Sequence, residues 1–330
     1  MTHPNRRDAT LTMLGALALT GASSARAQGA ASYPSRPIRL IVPFTPGGSA
    51  DILGRAIGQE LTKSMGQSVV IENIGGAGGS VGADKAAHAT PDGYTLFMGH
   101  IGTLAVNPHI YPKLPYDPIK DFTPVAWVAN VVNVLAVHPS VPAKTLKDLV
   151  AYAQANPGKL NYGSGGNGSA AHLTTEYLKL QTKTDLIHVP YKGTAPAVQD
   201  LVAGQTQVIF TGAPALLPFF KTGQLRAIAV SSTRRLDVLP DVPTVAESGY
   251  PGFEADQWYG IVVPTGVPAD IVRKLNTHIN QALNAPELKA RLQTEGAIAA
   301  PTTPEKFGEH IRAELARWKP VVLAANIKPS

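Results

Sequence analysis

The chain contains no cysteine, which excludes disulfide bridges, thiolate nucleophiles and cysteine-ligated zinc or iron–sulfur centres. That absence does not place the protein in a reducing compartment, because a chain of this size can reach an oxidising one without covalent staples. Charge is sparse: Asp, Glu, Lys and Arg make up 16% of the residues, with no basic run interleaved with aromatics, so nucleic acid is a poor partner. The nine histidines are scattered, and none shares the H-E-x-x-H spacing of a zinc hydrolase, so neither metal nor cofactor is expected. Repeats of solenoid period are missing too.

What is present is apolar and rich in turn residues. Hydrophobic residues form 44% of the 330, enough to bury more than one core, and one large or two medium α/β domains follow. The 31 glycines and 28 prolines fall mostly at strand-to-helix joints, which marks loops of defined shape.

At the N-terminus, Arg6-Arg7 precede a small, apolar stretch over 9–22, and Ala25-Arg26-Ala27 supplies a small-x-small cleavage site. Residues 1–27 therefore read as a signal peptide cut before Gln28, and the protein as periplasmic. The stretch is too short and too interrupted by Thr and Gly for a firm membrane span. The arginine pair resembles a twin-arginine signal, although Asp8-Ala9-Thr10 lacks the bulky apolar residue expected after it. Loss of Arg6, Arg7, Arg26 and Asp8 lowers the formal net charge from +6 to +4, a mild field that favours an anionic solute.

Beyond the signal, apolar runs at 38–42, 69–71 and 94–98 predict strands, and helical spacing predicts helices over 50–65 and 81–89. Strand, turn and helix in succession argue βαβ units and a largely parallel sheet. Two extended pieces in series, 125–128 and 134–137, suggest a crossing into a second domain, where a new βα series runs to 230. The helices predicted over 269–283, 287–295 and 304–324 lack a sheet of their own. Folding them back gives a first lobe of 28–130 and 255–330, an inserted second lobe of 131–254, and two crossings that act as a hinge.

Three glycine-rich turns carry the functional argument. The first, Pro43-Phe44-Thr45-Pro46-Gly47-Gly48-Ser49-Ala50-Asp51, lets backbone approach a bound group, with Ser49 expected to cap the helix and leave N–H groups for an anion. The second runs from Asn73 to Ser80 and the third is Tyr162-Gly163-Ser164-Gly165-Gly166-Asn167-Gly168-Ser169. If the lobes face one another, the first and third approach one cleft, which suits a carboxylate.

Two enzyme motifs compete. Gly163-x-Gly165-x-x-Gly168, with Asp185 beyond it, matches a dinucleotide fingerprint, but it lies mid-chain and Asp185 begins its strand instead of ending it. Gly78-x-Ser80-x-Gly82 matches a nucleophile elbow with Asp84, His88 and His100 nearby and His172, His188 and His310 further on. None stands where a hydrolase places its acid and base, so Ser80 reads as a helix cap.

The phrases Tyr33-Pro34-Ser35-Arg36-Pro37-Ile38-Arg39-Leu40-Ile41-Val42-Pro43-Phe44, Pro46-Gly47-Gly48-Ser49-Ala50-Asp51, Pro91-Asp92-Gly93-Tyr94-Thr95-Leu96, Asn107-Pro108, Leu114-Pro115-Tyr116-Asp117, Asp121-Phe122, His188-Val189-Pro190-Tyr191-Lys192-Gly193 and Leu239-Pro240-Asp241-Val242-Pro243-Thr244 resemble the Bug family. This family is the solute-binding component of tripartite tricarboxylate transporters. The resemblance implies a type II periplasmic binding fold, two α/β lobes with a hinge and a central ligand cleft. It also implies a monomer without catalytic activity that takes di- or tricarboxylates, acidic amino acids or aromatic acids and delivers them to membrane permease subunits. A membrane sensor is the alternative partner, and a Ser80 hydrolase the remote one.

Carried onto this chain, the resemblance puts Phe44, Thr45, Gly48, Ser49 and Asp51 on one side of the ligand and Gly163, Ser164, Asn167, Gly168, Ser169 and His172 on the other. Asp51, which would repel an anion, is assigned to holding the loop or a water. Ile101, Gly102 and Thr103 are expected at the ligand's distal end, and Thr211 is a further contact. Lys192 reads equally as an anion attractor or a solvated lysine. Trp258 and Tyr259 either face the cleft or pack the return crossing. Many family members resemble Phe-Asp-Asn where this chain has Phe210-Thr211-Gly212; that departure disfavours an ammonium-bearing ligand and leaves room for a simple carboxylate.

Overall fold

The run Ile38-Arg39-Leu40-Ile41-Val42 forms strand β1 (Ile38–Val42), buried except at Arg39, as a central strand covered on both faces must be. The computed structural model describes residues 33–328; residues 1–27, read from the sequence as a signal peptide, lie outside them. β1 pairs in parallel with β2 (Val69–Asn73) and β3 (Thr95–His100). On the far side of β3 stand β10 (Gln257–Pro264), β4 (Phe122–Val131) and β11 (Ala297–Ala299), each antiparallel to its neighbour, in the order β11-β4-β10-β3-β1-β2.

A second sheet holds β5 (Asn133–Val137), β6 (Leu160–Ser164), β7 (Leu186–Pro190), β8 (Val208–Gly212) and β9 (Arg226–Val230), ordered β7-β6-β8-β5-β9. β6 runs parallel to β7 and β8, and β5 antiparallel to β8 and β9. The expectation of largely parallel sheets is therefore corrected: both are mixed. Parallel neighbours need a crossover helix, whereas β10 and β5 enter their sheets straight from the other one.

Helices cover both sheets. α1 (Ser49–Met65) buries Leu53, Ile57 and Leu61, and Gly54 and Gly58 bring it close to the sheet: a Cβ at either would lie 3.0 Å from Val42 or Ile71. It stops at Gly66, left-handed at φ 70, a conformation that costs glycine little. α2 (Ser80–Ala87) follows β2 and its glycine turn. A wide π-type turn, Gly102–Val106, leads into α3 (Asn107–Ile110). α4 (Leu146–Ala155) opens on a reciprocal cap, with Asp148 N–H donating to Thr145 Oγ1 at 3.1 Å and Thr145 N–H to Asp148 Oδ2 at 3.0 Å. α5 (Ala170–Thr182), α6 (Thr194–Val202) and α7 (Leu217–Lys221) complete the second lobe.

The tail, α8 (Ala269–Asn284), α9 (Pro286–Thr294) and α10 (Pro304–Ala324), returns to the first sheet. Trp258 on β10 and Trp318 on α10 both donate indole N–H bonds to Glu314 Oε2, at 3.0 and 2.9 Å, so the helix is fixed by a buried charged acceptor as well as by apolar contact. Full burial of one large apolar side chain contributes roughly 1.5–3 kcal/mol. The three-residue β11 and the 102–106 turn carry no periodicity to betray them, and sequence reasoning missed both. Among the described residues no helix is long and apolar enough to cross a membrane.

Candidate functional site

The first turn ends on Gly48, whose extended backbone (φ −86, ψ 169) is the N-cap of α1. Gly48 holds that place and no side chain caps the helix, so Ser49 is the first helical residue, not the cap expected of it. Its Oγ is buried without a hydrogen-bond partner, close to the Tyr259 hydroxyl but outside bonding geometry. The loop is braced from behind by Asp51. Its Oδ2 accepts from Gly47 N–H and Arg55 Nε, both at 3.0 Å, and its Oδ1 from Asn73 Nδ2 at 3.0 Å. Burial alone would raise the Asp51 pKa; the bonds from Arg55, Gly47 and Asn73 outweigh it and hold the carboxyl below its ordinary value.

The third turn is braced without charge. Ser169 caps α5, accepting from His172 N–H at 3.4 Å, and His172 Nδ1 accepts from Gly168 N–H at 3.2 Å. The His172 ring stacks on His188 at 3.9 Å, His188 stacks on Tyr162 at 4.8 Å, and His188 Nε2 lies 2.6 Å from Ser164 Oγ. Burial lowers the His172 pKa to about 4 and, with the neighbouring His172, that of His188 to about 3, so both rings are neutral.

Phe44, Gly48, Ser49 and Ala50 meet Ser169, Ala170, Ala171, Thr194 and Thr211 across a cavity of ≈ 10 Å³, room for about one water, with His100, Gln257 and Tyr259 completing the wall. No lining residue carries a formal charge. The N–H groups of Ser49 and Ala50, and of Ala170 and Ala171, donate to no group among the described residues. Two helix starts thus present free donors and positive dipole ends to one point.

Of the residues singled out from the sequence, the cavity gathers Phe44, Gly48, Ser49, Ser169 and Thr211. Thr45, Asp51, Gly163, Ser164, Asn167, Gly168 and His172 stand behind the wall, as do Ile101, Gly102 and Thr103. Thr45 approaches Gly193, Gly163 packs on Ala197, and Ile101 is buried in the core. Lys192 is exposed and outside the lining. Tyr259 faces the cavity while Trp258 packs against Phe307 and His310. His100, Thr194 and Gln257 were missed; the alternation of β10, which puts Gln257 and Tyr259 on one face, is the only sequence signal for any of them.

The second glycine turn closes against the other lobe. A Cβ at Gly78 would collide with the Asn167 carbonyl, and one at Gly75 would lie 2.7 Å from the Lys192 carbonyl. Tyr111 Oη donates to the Asn167 carbonyl at 3.1 Å. Gly212 is hemmed in by Ser49 Oγ and Gln257 Nε2, so any side chain there would part the lobes. Ser80 does not cap α2, which starts from Gly79; its Oγ accepts from Asn107 Nδ2 at 2.9 Å, and no histidine hydrogen bonds to it among the described residues.

A larger cavity of ≈ 220 Å³ opens beside the two strand crossings, but its wall holds Asp237 and Asp256 as well as Arg234 and Arg235, a mixed lining ill suited to an anion. No group of three or more His, Cys, Asp or Glu side chains is placed to hold a metal among the described residues.

Two α/β lobes joined by two strand crossings, with a donor-lined cleft between them, define a bilobed solute receptor of the type II periplasmic binding fold. The chain belongs to the tripartite tricarboxylate transporter family receptors, whose family model matches residues 53–327. It is 39% identical over 298 residues to Protein BugT of Bordetella pertussis, covering 90% of this chain and 91% of that one. An R. palustris protein solved with adipate superposes with a TM-score of 0.88 at 38% identity, covering 90% of this chain and all of the other. MatC from Rhodopseudomonas palustris, with bound malate, superposes at 0.84 with 36% identity, covering 88% of this chain and 100% of its own.

Proposed function

We propose that this chain is a periplasmic receptor that closes on a small dicarboxylate lacking an ammonium group and presents the closed form to the membrane subunits of a tripartite transporter, performing no chemistry on the ligand. The observation that carries it is the uncharged cavity wall with free amide donors from the starts of α1 and α5. Such a wall offers donors to a carboxylate and no carboxylate of its own to an ammonium. Adipate and malate, held by the two relatives, belong to this class.

A cavity with room for one water cannot admit such a molecule unless the lobes separate, and the crossings near 130/131 and 254/255 serve as the hinge. The hinge is wired to the cavity. Tyr259 Oη donates to Gln257 Oε1 at 2.5 Å, Gln257 Nε2 to Asn133 Oδ1 at 2.6 Å, and Asn133 Nδ2 to the Ala255 carbonyl at 2.7 Å. Ligand contacts made by both walls favour the closed population that a monomeric receptor offers its permease. Export by cleavage after Ala27 accompanies this reading, and N-terminal sequencing of periplasmic protein tests it.

Calorimetry with adipate, malate, succinate and aspartate, paired with small-angle scattering, tests the proposal. The dicarboxylates bind more tightly than aspartate and shrink the radius of gyration; tighter binding of aspartate, or an unchanged radius, contradicts it.

A further inference from the structure

His100 closes β3, is 1% exposed, and borders the cavity between Phe44 and Tyr259, with ring centroids 4.8 and 5.9 Å away. Its Nδ1 accepts from Thr103 N–H at 3.2 Å. A backbone N–H can only donate, so this bond requires a bare Nδ1, to which Thr103 Oγ1 at 3.1 Å can also donate. Burial lowers the His100 pKa to about 3, so the ring is neutral and its one proton sits on Nε2. That Nε2 is buried and has no hydrogen-bond partner. A Cβ at Gly102 would collide with the Gly168 carbonyl oxygen and lie 2.7 Å from His100 Cε1 and Nε2. Thr103 and Gly102 therefore act on this ring: Thr103 bonds its Nδ1, and Gly102 leaves room for its Nε2 edge and for the Gly168 carbonyl.

An unmet donor in an uncharged, buried wall is costly unless something accepts from it. Resting on the carboxylate reading above, we propose that His100 is a specificity-determining residue of the cavity, a neutral imidazole locked as the Nε2–H tautomer that donates to a ligand carboxylate oxygen. A donor without a lone pair on that atom accepts nothing, so it selects acceptor-only ligands and rejects an ammonium or a primary amide nitrogen at the same point.

Long-range proton–nitrogen NMR on histidine-labelled protein tests this directly. The proposal expects a protonated Nε2 and bare Nδ1 for His100 before ligand is added, and a downfield, exchange-protected Nε2 proton once adipate is present. His100→Phe keeps the ring packing and removes the donor, and lowers adipate affinity about 10- to 100-fold, as loss of a hydrogen bond to a charged group does. His100→Gln, whose amide nitrogen reaches the place of Nε2, recovers most of it, and guards against a Phe variant that misfolds. A protonated Nδ1, or a folded Phe variant within about twofold of wild type, overturns the assignment while leaving the carboxylate reading intact. Wild-type protein that binds neither adipate, malate nor succinate removes both.

Discussion

The starts of α1 and α5 reach one cavity but are braced by opposite means. Behind α1 stands an ionised carboxylate tied to Arg55, Gly47 and Asn73; behind α5 stands a neutral stack of His172, His188 and Tyr162. Both turns bring free amides to a cavity that no charged side chain lines. It also makes the two turns answer differently to acid. The His172 and His188 pKa values lie below the ordinary 6.5, so unfolded rings take up protons that folded ones refuse. Their stability contribution is complete above about pH 6.5 and is lost as pH falls toward 4. Asp51 is depressed below 3.8, so its contribution survives to that pH and fails only beneath it.

The largest expected effect tests that asymmetry. Urea unfolding at pH 5 finds the protein less stable than at pH 7 by about 2 kcal/mol for His172 alone, and a His172→Phe, His188→Phe double variant loses those two rings' share of the slope while the buried His100 keeps its own. An equally steep slope in the double variant breaks the comparison. Next comes the contact between turns: Gly78→Ala drives a methyl into the Asn167 carbonyl, and dicarboxylate affinity falls on the order of 100-fold if the closed population drops to about 1%. Calorimetry reads the loss, and scattering finds the liganded radius still large.

Removing the charged brace is a smaller change. Asp51→Ala frees Gly47 N–H and Asn73 and costs about 1–3 kcal/mol of stability, with weaker binding and faster amide exchange at 47–50 but not at 168–171. The carboxyl of Asp256, beside the second crossing, answers to pH in the opposite sense: burial lifts its pKa to about 6 against the opposing bond from Ser231. With the folded value raised, the stabilising protonated form is lost as pH rises through about 6, so Asp256→Asn gains up to about 3 kcal/mol at pH 8 and less than about 1 kcal/mol at pH 4.

The same contrast explains what the sequence made legible. Strand, glycine turn and helix are local, so the first and third turns, and with them Gly48, Ser49 and Ser169, stand out from short phrases alone. Tyr259 was undecidable against Trp258 because adjacent strand residues face opposite ways, and only the packing of α10 on one side of β10 assigns each its face. His100 and Gln257 join the site through the antiparallel return of β10 beside β3, a pairing of residues more than 150 positions apart that no local pattern encodes. Gly212 is legible only in retrospect, since the small residue is demanded by Ser49 and Gln257 from the other lobe.

A crystal structure with adipate bound shows directly whether both lobes grip one carboxylate. One carboxylate is expected within about 3.2 Å of an amide nitrogen at Ser49 or Ala50 and of one at Ala170 or Ala171. Adipate touching one lobe only, or seated in the larger cavity beside Asp256, contradicts it.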